Sequence, residues 1–167
     1  MQRPFPLFRT GLGQSSHRFL PSDSSKPCAI GGILFEDVPG LDAESDGDVV
    51  FDAVCNAITS LTGVPILEGF ARDLCRKDGI TDSSVYAAQA LQILEEQQIV
   101  HVAISIEGKR PLFDEKLELM KRKIAEVLEV ETRQVGLTVT SGDGLTDFGC
   151  GDGVQALCIL TTMERPS

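Results

Sequence analysis

A short segment in the middle of the chain, residues 100–106, constrains the fold most. Apolar side chains alternate there with small or polar ones: Val100, Val102, Ile104 and Ile106 against His101, Ala103 and Ser105. A period of two is typical of a β-strand with one buried and one open face. The segment therefore predicts a sheet that is covered on one face.

Other segments have the hydrophobic periodicity and the terminating residues that are typical of helices and strands. Helices are predicted over residues 48–62, 70–77, 83–97 and 111–129. Strands are predicted over residues 7–13, 135–141 and 154–163, with a bent strand or hairpin over residues 28–35. This order in a chain of 167 residues indicates a single α+β domain, with a mixed sheet of four to five strands and helices on one face.

Composition excludes several classes of partner. The net charge of −10 disfavours binding to nucleic acid or to an anionic membrane. No apolar run approaches the roughly 20 residues of a membrane helix, and residues 1–8 lack the apolar stretch of a signal peptide. Five widely spaced cysteines without a CxxC motif indicate reduced thiols, and we therefore expect a cytoplasmic protein.

Two segments have the layout of a small metal and phosphate site. Gly11 and Gly13 precede His17 and Phe19, and about thirty residues later an acidic, glycine-containing turn opens a helix. A glycine-rich loop at residues 140–153 follows a predicted strand, where backbone N–H groups can face phosphates. An isolated histidine is more often a packing residue than a ligand, so the metal interpretation depends on the surrounding motif.

That motif resembles the 2-C-methyl-D-erythritol 2,4-cyclodiphosphate synthase family. Residues 11–19 are similar to its Gly-x-Gly-x-Asp-x-His-x-Phe motif, residues 45–49 to its Ser-Asp-Gly-Asp-Val run, and residues 149–153 to its Gly-Arg-Gly-Glu-Gly segment. The resemblance assigns residues 9–163 to the domain and residues 1–8 to an N-terminal extension. It implies a homotrimer with sites between neighbouring subunits.

The resemblance also implies a reaction. Family members are lyases of the non-mevalonate pathway of isoprenoid (terpenoid) synthesis. They convert 4-diphosphocytidyl-2-C-methyl-D-erythritol 2-phosphate into 2-C-methyl-D-erythritol 2,4-cyclodiphosphate and CMP. The expected partner is therefore a cytidine diphosphate-linked small molecule.

The resemblance implies a metal site with Asp, His and His ligands, two of which are substituted here. Ser15 occupies the Asp position and cannot supply a carboxylate, His17 is retained, and Asp52 occupies the second His position. We expect His17 and Asp52 to hold a divalent ion, zinc in the family, with water or diphosphate oxygens completing the site. The alternative for Asp52 is a polar helix position left after loss of the metal. Asp48 is expected to cap the helix or to orient a ligand.

Other substrate contacts are implied in the same way. Glu44 takes the position of a histidine that contacts substrate near the transferring phosphate, and Ser45 beside it is retained. A carboxylate next to phosphate is repulsive unless it is protonated or metal-bound, so a solvated loop carboxylate is the alternative for Glu44. Ser141 takes the place of a threonine that steadies the phosphate. Asp143 takes that of a glutamate at a second ion, Mg²⁺ or Mn²⁺.

Further contacts fall on two turns. Thr140 and Gly142 flank Ser141, and Lys109 or Arg110 corresponds to a turn that holds the cytidine and its phosphates. Ordinary loop solubility is the alternative for both basic residues. Cys150 replaces an arginine of the family, and residues 65–69 do not reproduce its Asp-Ile-Gly substrate loop.

These substitutions leave two interpretations of the function. One is an active, metal-dependent synthase in which Glu44 and Ser141 are the catalytic residues. Ser15, His17 and Ser45 would then also contact substrate. The other is a degenerate, metal-poor homologue that acts as a nucleotide-binding or structural trimer. An unrelated ferredoxin-like binding module is disfavoured by the ordered motif matches.

Overall fold

The fold is a four-stranded mixed sheet with helices on one face, and the computed structural model describes residues 5–165. The sheet contains strands β1 (Phe8–Arg18), β4 (Gln97–Glu107), β5 (Val135–Thr140) and β6 (Gly153–Glu164). Their order is β1-β6-β4-β5, and β4 and β5 are parallel whereas the other pairs are antiparallel. Strands β2 (Cys28–Ile30) and β3 (Ile33–Phe35) form a separate hairpin. The predicted α+β class and mixed sheet are confirmed. Residues 1–4 of the predicted extension lie outside the described part.

In the described part of the chain, five α-helices connect these strands: α1 (Val49–Thr62), α2 (Arg72–Asp78), α3 (Ser83–Ala90), α4 (Leu117–Val127) and α5 (Asp147–Cys150). A π-helical turn (Leu67–Ala71) leads into α2, and 3-10 turns occupy Leu91–Leu94, Asp114–Lys116 and Thr132–Gln134. Across residues 5–165, none of the helices combines the length and the apolar character that crossing a membrane requires.

Several predicted boundaries are wrong. The first strand does not end near Gly13 but continues to Arg18, because β6 pairs with it along its whole length. Ser15 and His17 therefore lie inside a strand and not in the loop that follows it. The predicted helix over residues 83–97 ends at Ala90, and Glu95 takes a positive φ of 50° just before β4 begins. A short helix, α5, interrupts the loop that was predicted to be only glycine-rich.

The core lies between the sheet and the helices. Val102, Ile104 and Ile106 of β4 are buried there, as the alternation predicts, whereas Val100, at a shift in the pairing with β6, is only partly buried. On the opposite face of the sheet the large apolar side chains stay in solvent: Leu12 is 60% exposed, Leu157 39% and Ile159 45%. Leu12 pairs with Ile159 across β1 and β6, so these side chains form one open apolar surface.

Candidate functional site

The site begins where helix α1 starts. Asp48 caps this helix: its side chain accepts hydrogen bonds from the backbone nitrogens of Val50 (3.0 Å) and Phe51 (3.4 Å). The same buried carboxylate accepts from the nitrogens of Gly31 (2.8 Å) and Gly32 (2.7 Å) in the β2–β3 turn. The predicted capping role is confirmed, and the side chain also fastens the hairpin to the helix.

Asp46 and Asp48, which lie just before α1, both hold neighbouring segments in place through hydrogen bonds. Complete burial and the neighbouring Asp46 raise the pKa of Asp48, whereas the Gly31 and Gly32 N–H groups favour its ionised form. Asp46 accepts hydrogen bonds from the Asp48 nitrogen (3.0 Å) and from the nitrogen and hydroxyl of Ser83 (3.2 and 2.7 Å) at the start of α3. Burial raises the pKa of Asp46 as well. Both carboxylates are thus engaged in holding the turn.

Two glycines bring strand β1 directly onto helix α1. A β carbon at Gly13 would lie 1.9 Å from the carbonyl oxygen of Ala53, and one at Gly11 would lie 2.2 Å from that of Ala57. Any side chain at these positions would collide with the helix backbone. This close approach places His17, farther along β1, beside the first turn of α1.

His17 and Asp52 meet at that point. His17 Nε2 and Asp52 Oδ2 lie 3.1 Å apart, within hydrogen-bond distance, and the two side chains are 23% and 8% exposed. Both line a cavity of about 250 Å³, together with Glu44 and Ser45. Four residues that the sequence assigns to the site are therefore grouped around one cavity.

Glu44 is paired with an arginine that the sequence analysis missed. Arg76 of α2 donates from Nε to Oε2 and from Nη2 to Oε1 of Glu44, each at 2.9 Å. These hydrogen bonds and the charge of Arg76 lower the pKa of Glu44. Glu44 is thus a loop carboxylate with a 66% exposed side chain and an ion-pair partner in α2. Arg76 lies within the predicted helix over residues 70–77, but no local pattern indicates a partner 32 residues away.

Lys26 was also missed, and it organises the loop that carries Glu44 and Ser45. Its Nζ donates to three backbone carbonyl oxygens, those of Leu41 (2.7 Å), Ala43 (2.8 Å) and Ser45 (2.6 Å). Three donors on one ammonium group are thereby all used. A single lysine in a polar stretch gives no signal of this role in the sequence.

The second group of predicted residues lies in the loop after β5. Ser141 donates from its hydroxyl to Asp143 Oδ1 at 3.1 Å. Gly142 has a φ of +75°, and a β carbon there would lie 2.8 Å from the Gly149 α carbon, so this turn requires glycine. The Gly142 nitrogen donates to the Thr140 hydroxyl at 3.4 Å.

The turn after β4 borders this loop. The nitrogen of Lys109 donates to the Phe148 carbonyl oxygen at 3.0 Å, and the Lys109 side chain is exposed. Arg110 donates to the Gly151 carbonyl oxygen at 2.8 Å, and its guanidinium lies 4.6 Å from the centre of the Phe19 ring. Arg110 thus has structural partners within the chain.

The two groups of predicted residues do not line one cavity within a single chain. Of the residues described, those lining the cavity of His17 and Asp52 do not include the residues of the second group: Lys109, Arg110, Thr140, Ser141, Gly142 and Asp143. Within residues 5–165, no three His, Cys, Asp or Glu side chains are close enough together to hold one metal ion. Ser15 lies on the same face of β1 as His17, two residues before it, and has a hydroxyl in place of a carboxylate.

Comparison with known proteins identifies the family. A relative from Chlamydia felis named 2-C-methyl-D-erythritol 2,4-cyclodiphosphate synthase is 52% identical over 165 residues, covering 98% of this chain and 94% of its own length. A relative of the same name from Chlamydia abortus is equally similar. The structure of IspF from Plasmodium falciparum in complex with CDP matches the fold with a TM-score of 0.81 and 18% identity, covering 95% of this chain and 97% of that one. Residues 8–163 match the YgbB family, and the chain therefore belongs to it.

Proposed function

We propose that this chain catalyses the reaction for which its relatives are named, the cyclisation that yields 2-C-methyl-D-erythritol 2,4-cyclodiphosphate and CMP in isoprenoid precursor synthesis. The observation that carries the proposal is the cavity that groups His17, Asp52, Glu44 and Ser45. Identity of 52% over nearly the whole chain to proteins named as this synthase supports it, and does not favour a degenerate homologue.

The substrate we propose is a cytidine diphosphate-linked molecule. The CDP complex of the Plasmodium falciparum protein, which shares this fold, supports a ligand of that kind. We assign the cytidine and its phosphates to the turn of Lys109 and Arg110 and to the loop of Thr140 and Gly142. Because Arg110 is held on Phe19, we expect Lys109 to make the charged contact and Arg110 to shape the turn.

A divalent ion fits between His17 and Asp52, but ligands from outside the protein would have to complete its coordination. Two ligand atoms on one ion at bond lengths near 2.1 Å lie about 3 Å apart, and His17 Nε2 and Asp52 Oδ2 are 3.1 Å apart. Two protein ligands are fewer than the three of a catalytic zinc site, and Mg²⁺ commonly takes one or two protein ligands plus phosphate oxygens. We therefore propose that the diphosphate completes the site for zinc, magnesium or manganese. Such an ion would neutralise charge on the diphosphate.

The reaction needs positioning more than covalent chemistry. An oxygen of the 2-phosphate bonds to the β-phosphorus, the bond from that phosphorus to the bridging oxygen breaks, and CMP leaves with that oxygen. Ser45 would orient the attacking phosphate at the cavity. Ser141 would donate its hydroxyl to the attacked phosphate, and Asp143 would face a second ion. Holding the two phosphates in contact is the main contribution that these residues can make.

We propose a homotrimer because one chain separates the two groups of site residues. Neighbouring copies would join Ser141 and Asp143 of one subunit to the cavity of another. The open apolar surface of Leu12, Leu157 and Ile159 supports association, because exposed apolar patches of this kind are commonly covered by a partner. Sedimentation of a stable monomer at micromolar concentration would contradict the trimer. A cytoplasmic location is supported by five free thiols.

Product analysis tests the proposed activity. We expect ³¹P NMR of the cytidylylated substrate incubated with the protein and Mg²⁺, Mn²⁺ or Zn²⁺ to reveal one cyclic diphosphate per CMP. CMP with an acyclic 2,4-bisphosphate, which has no P–O–P bond, would indicate hydrolysis and contradict the cyclisation.

A further inference from the structure

Helix α2 places two arginines on the cavity of the site. Arg72 and Arg76 are four residues apart, so they share one face of the helix, and both line the cavity of about 250 Å³ with His17 and Asp52. Lys77, next to Arg76, pairs with Asp73 at 3.1 Å and is not among the lining residues. Arg72 and Arg76 of α2 therefore lie at the cavity, whereas Lys77 lies on the outer side of the helix.

Arg76 is fixed in place but retains donors for a ligand. A guanidinium group has five N–H bonds, and the bidentate contact with Glu44 uses two of them. Both oxygens of Glu44 are engaged in that contact. The Arg76 side chain is 59% exposed, so a ligand in the cavity can reach its remaining N–H groups.

The side chains around the cavity carry charges of both signs. Three carboxylates line it, those of Glu44, Asp52 and Glu68, and no lysine is found among its described lining residues. Arg72 and Arg76 lie against Glu68 (3.5 Å) and Glu44 (2.9 Å), which offsets two of the three negative charges. A phosphorylated ligand in this cavity would contact the guanidinium groups of the two arginines. Glu44 without its arginine partner would repel such a ligand.

We propose that Arg76 binds a phosphate of the substrate and that Glu44 is the residue that positions it, with Arg72 as a second cation. This inference rests on the proposed function. Glu44 then acts through Arg76 and not by contact with the substrate. A planar guanidinium held by one carboxylate presents its other N–H groups to phosphate oxygens in a defined direction, which a lysine ammonium cannot do.

Steady-state kinetics of CMP release test the role of Arg76. We expect Arg76→Gln to lower kcat/KM about 10- to 100-fold, because a charge-assisted hydrogen bond contributes roughly that much. Arg76→Lys should recover less than half of the loss on a logarithmic scale. Lys77→Gln is the matched control on the outer side of the helix and should leave kcat/KM unchanged. An Arg76→Gln variant with wild-type kcat/KM would overturn the assignment.

A double-mutant cycle separates positioning from direct contact. Glu44→Gln should lower kcat/KM in the wild-type background, about tenfold, and should have no further effect once Arg76 is glutamine. An equal effect of Glu44→Gln in both backgrounds would contradict the positioning role.

Binding of inorganic pyrophosphate distinguishes failure of this inference from failure of the proposed function. Calorimetry on the whole chain should detect pyrophosphate binding that Arg76→Gln weakens about 10- to 100-fold and Lys77→Gln does not alter. Weakened binding without turnover in the wild type would support the phosphate site and overturn the proposed activity. Turnover with unchanged binding and kinetics in Arg76→Gln would overturn the phosphate site alone.

Discussion

Replacing Gly13 by alanine is predicted to separate strand β1 from helix α1. The new β carbon would lie 1.9 Å from the Ala53 carbonyl oxygen and 2.4 Å from the Ala57 nitrogen. Both are backbone atoms, so no side-chain rotation relieves the overlap. Because β carbons essentially never come within 3.0 Å of such atoms, the strand and the helix must move apart by about 1 Å in a close-packed interior.

The displacement has a cost in stability and a cost in activity. Overpacking of a core typically costs about 1–3 kcal/mol, and we expect about 3 kcal/mol here because two backbones collide. For a chain of this size, that corresponds to a decrease in Tm of roughly 6–12 °C. His17 lies on β1 and Asp52 on α1, and a misplacement of about 1 Å between them is expected to lower turnover roughly 100-fold.

Thermal unfolding followed by circular dichroism measures the first effect, and CMP release at a temperature where the variant is folded measures the second. Gly136→Ala is the control, since a β carbon at this strand position meets only ordinary contacts, the nearest being His101 Cε1 at 3.5 Å. A Gly13→Ala protein that melts and turns over like the Gly136→Ala protein would refute the close approach of β1 and α1 as the feature that sets the site.

Three further outcomes are expected. Asp48→Asn places an amide NH₂ where the Gly32 N–H now finds an acceptor, so urea denaturation should give a free energy of unfolding lower by about 1–3 kcal/mol. Lys26→Met keeps the aliphatic stem but removes the ammonium group from three carbonyl oxygens, and should lower the same quantity by about 2 kcal/mol. Ser15→Asp returns a carboxylate to the face of β1 that carries His17, and calorimetry with Zn²⁺ should find affinity raised about 10- to 100-fold. Unchanged values would contradict, respectively, the buried acceptor, the lysine anchor and the proposed position of the ion.

The sequence predicts the parts of this protein that depend on local pattern. The alternation of residues 100–106 predicts β4, and the helical period of apolar residues over 48–62 predicts α1. Each pattern reflects which side of that element is buried. The end of β1 is not predicted, because its polar residues are held as a strand by pairing with β6. The roles of Lys26 and Arg76 are not predicted for a related reason. Their partners are distant in sequence and come close only in the folded chain, so the neighbouring residues show no pattern that indicates them.

The candidate site is also predicted only where it depends on local sequence. The motif around His17 and the helix start at Asp48 are visible in the sequence, and the resemblance they carry leads to the family. The meeting of His17 with Asp52 at 3.1 Å depends on the bare backbone of Gly13 against α1, which a motif alone does not reveal. The pairing of Glu44 with an arginine depends on α2, which follows the segment, residues 65–69, where the family motif is not reproduced.

The most direct test is the rate of CMP release from 4-diphosphocytidyl-2-C-methyl-D-erythritol 2-phosphate by the wild-type chain and by Asp52→Ala, with a divalent metal present. We predict that the wild type releases CMP together with the cyclic diphosphate, and that Asp52→Ala is slower by about 100-fold because the ion and His17 lose their shared partner. Absence of CMP release by the wild type would contradict the proposed function. A wild-type rate in Asp52→Ala would contradict the site.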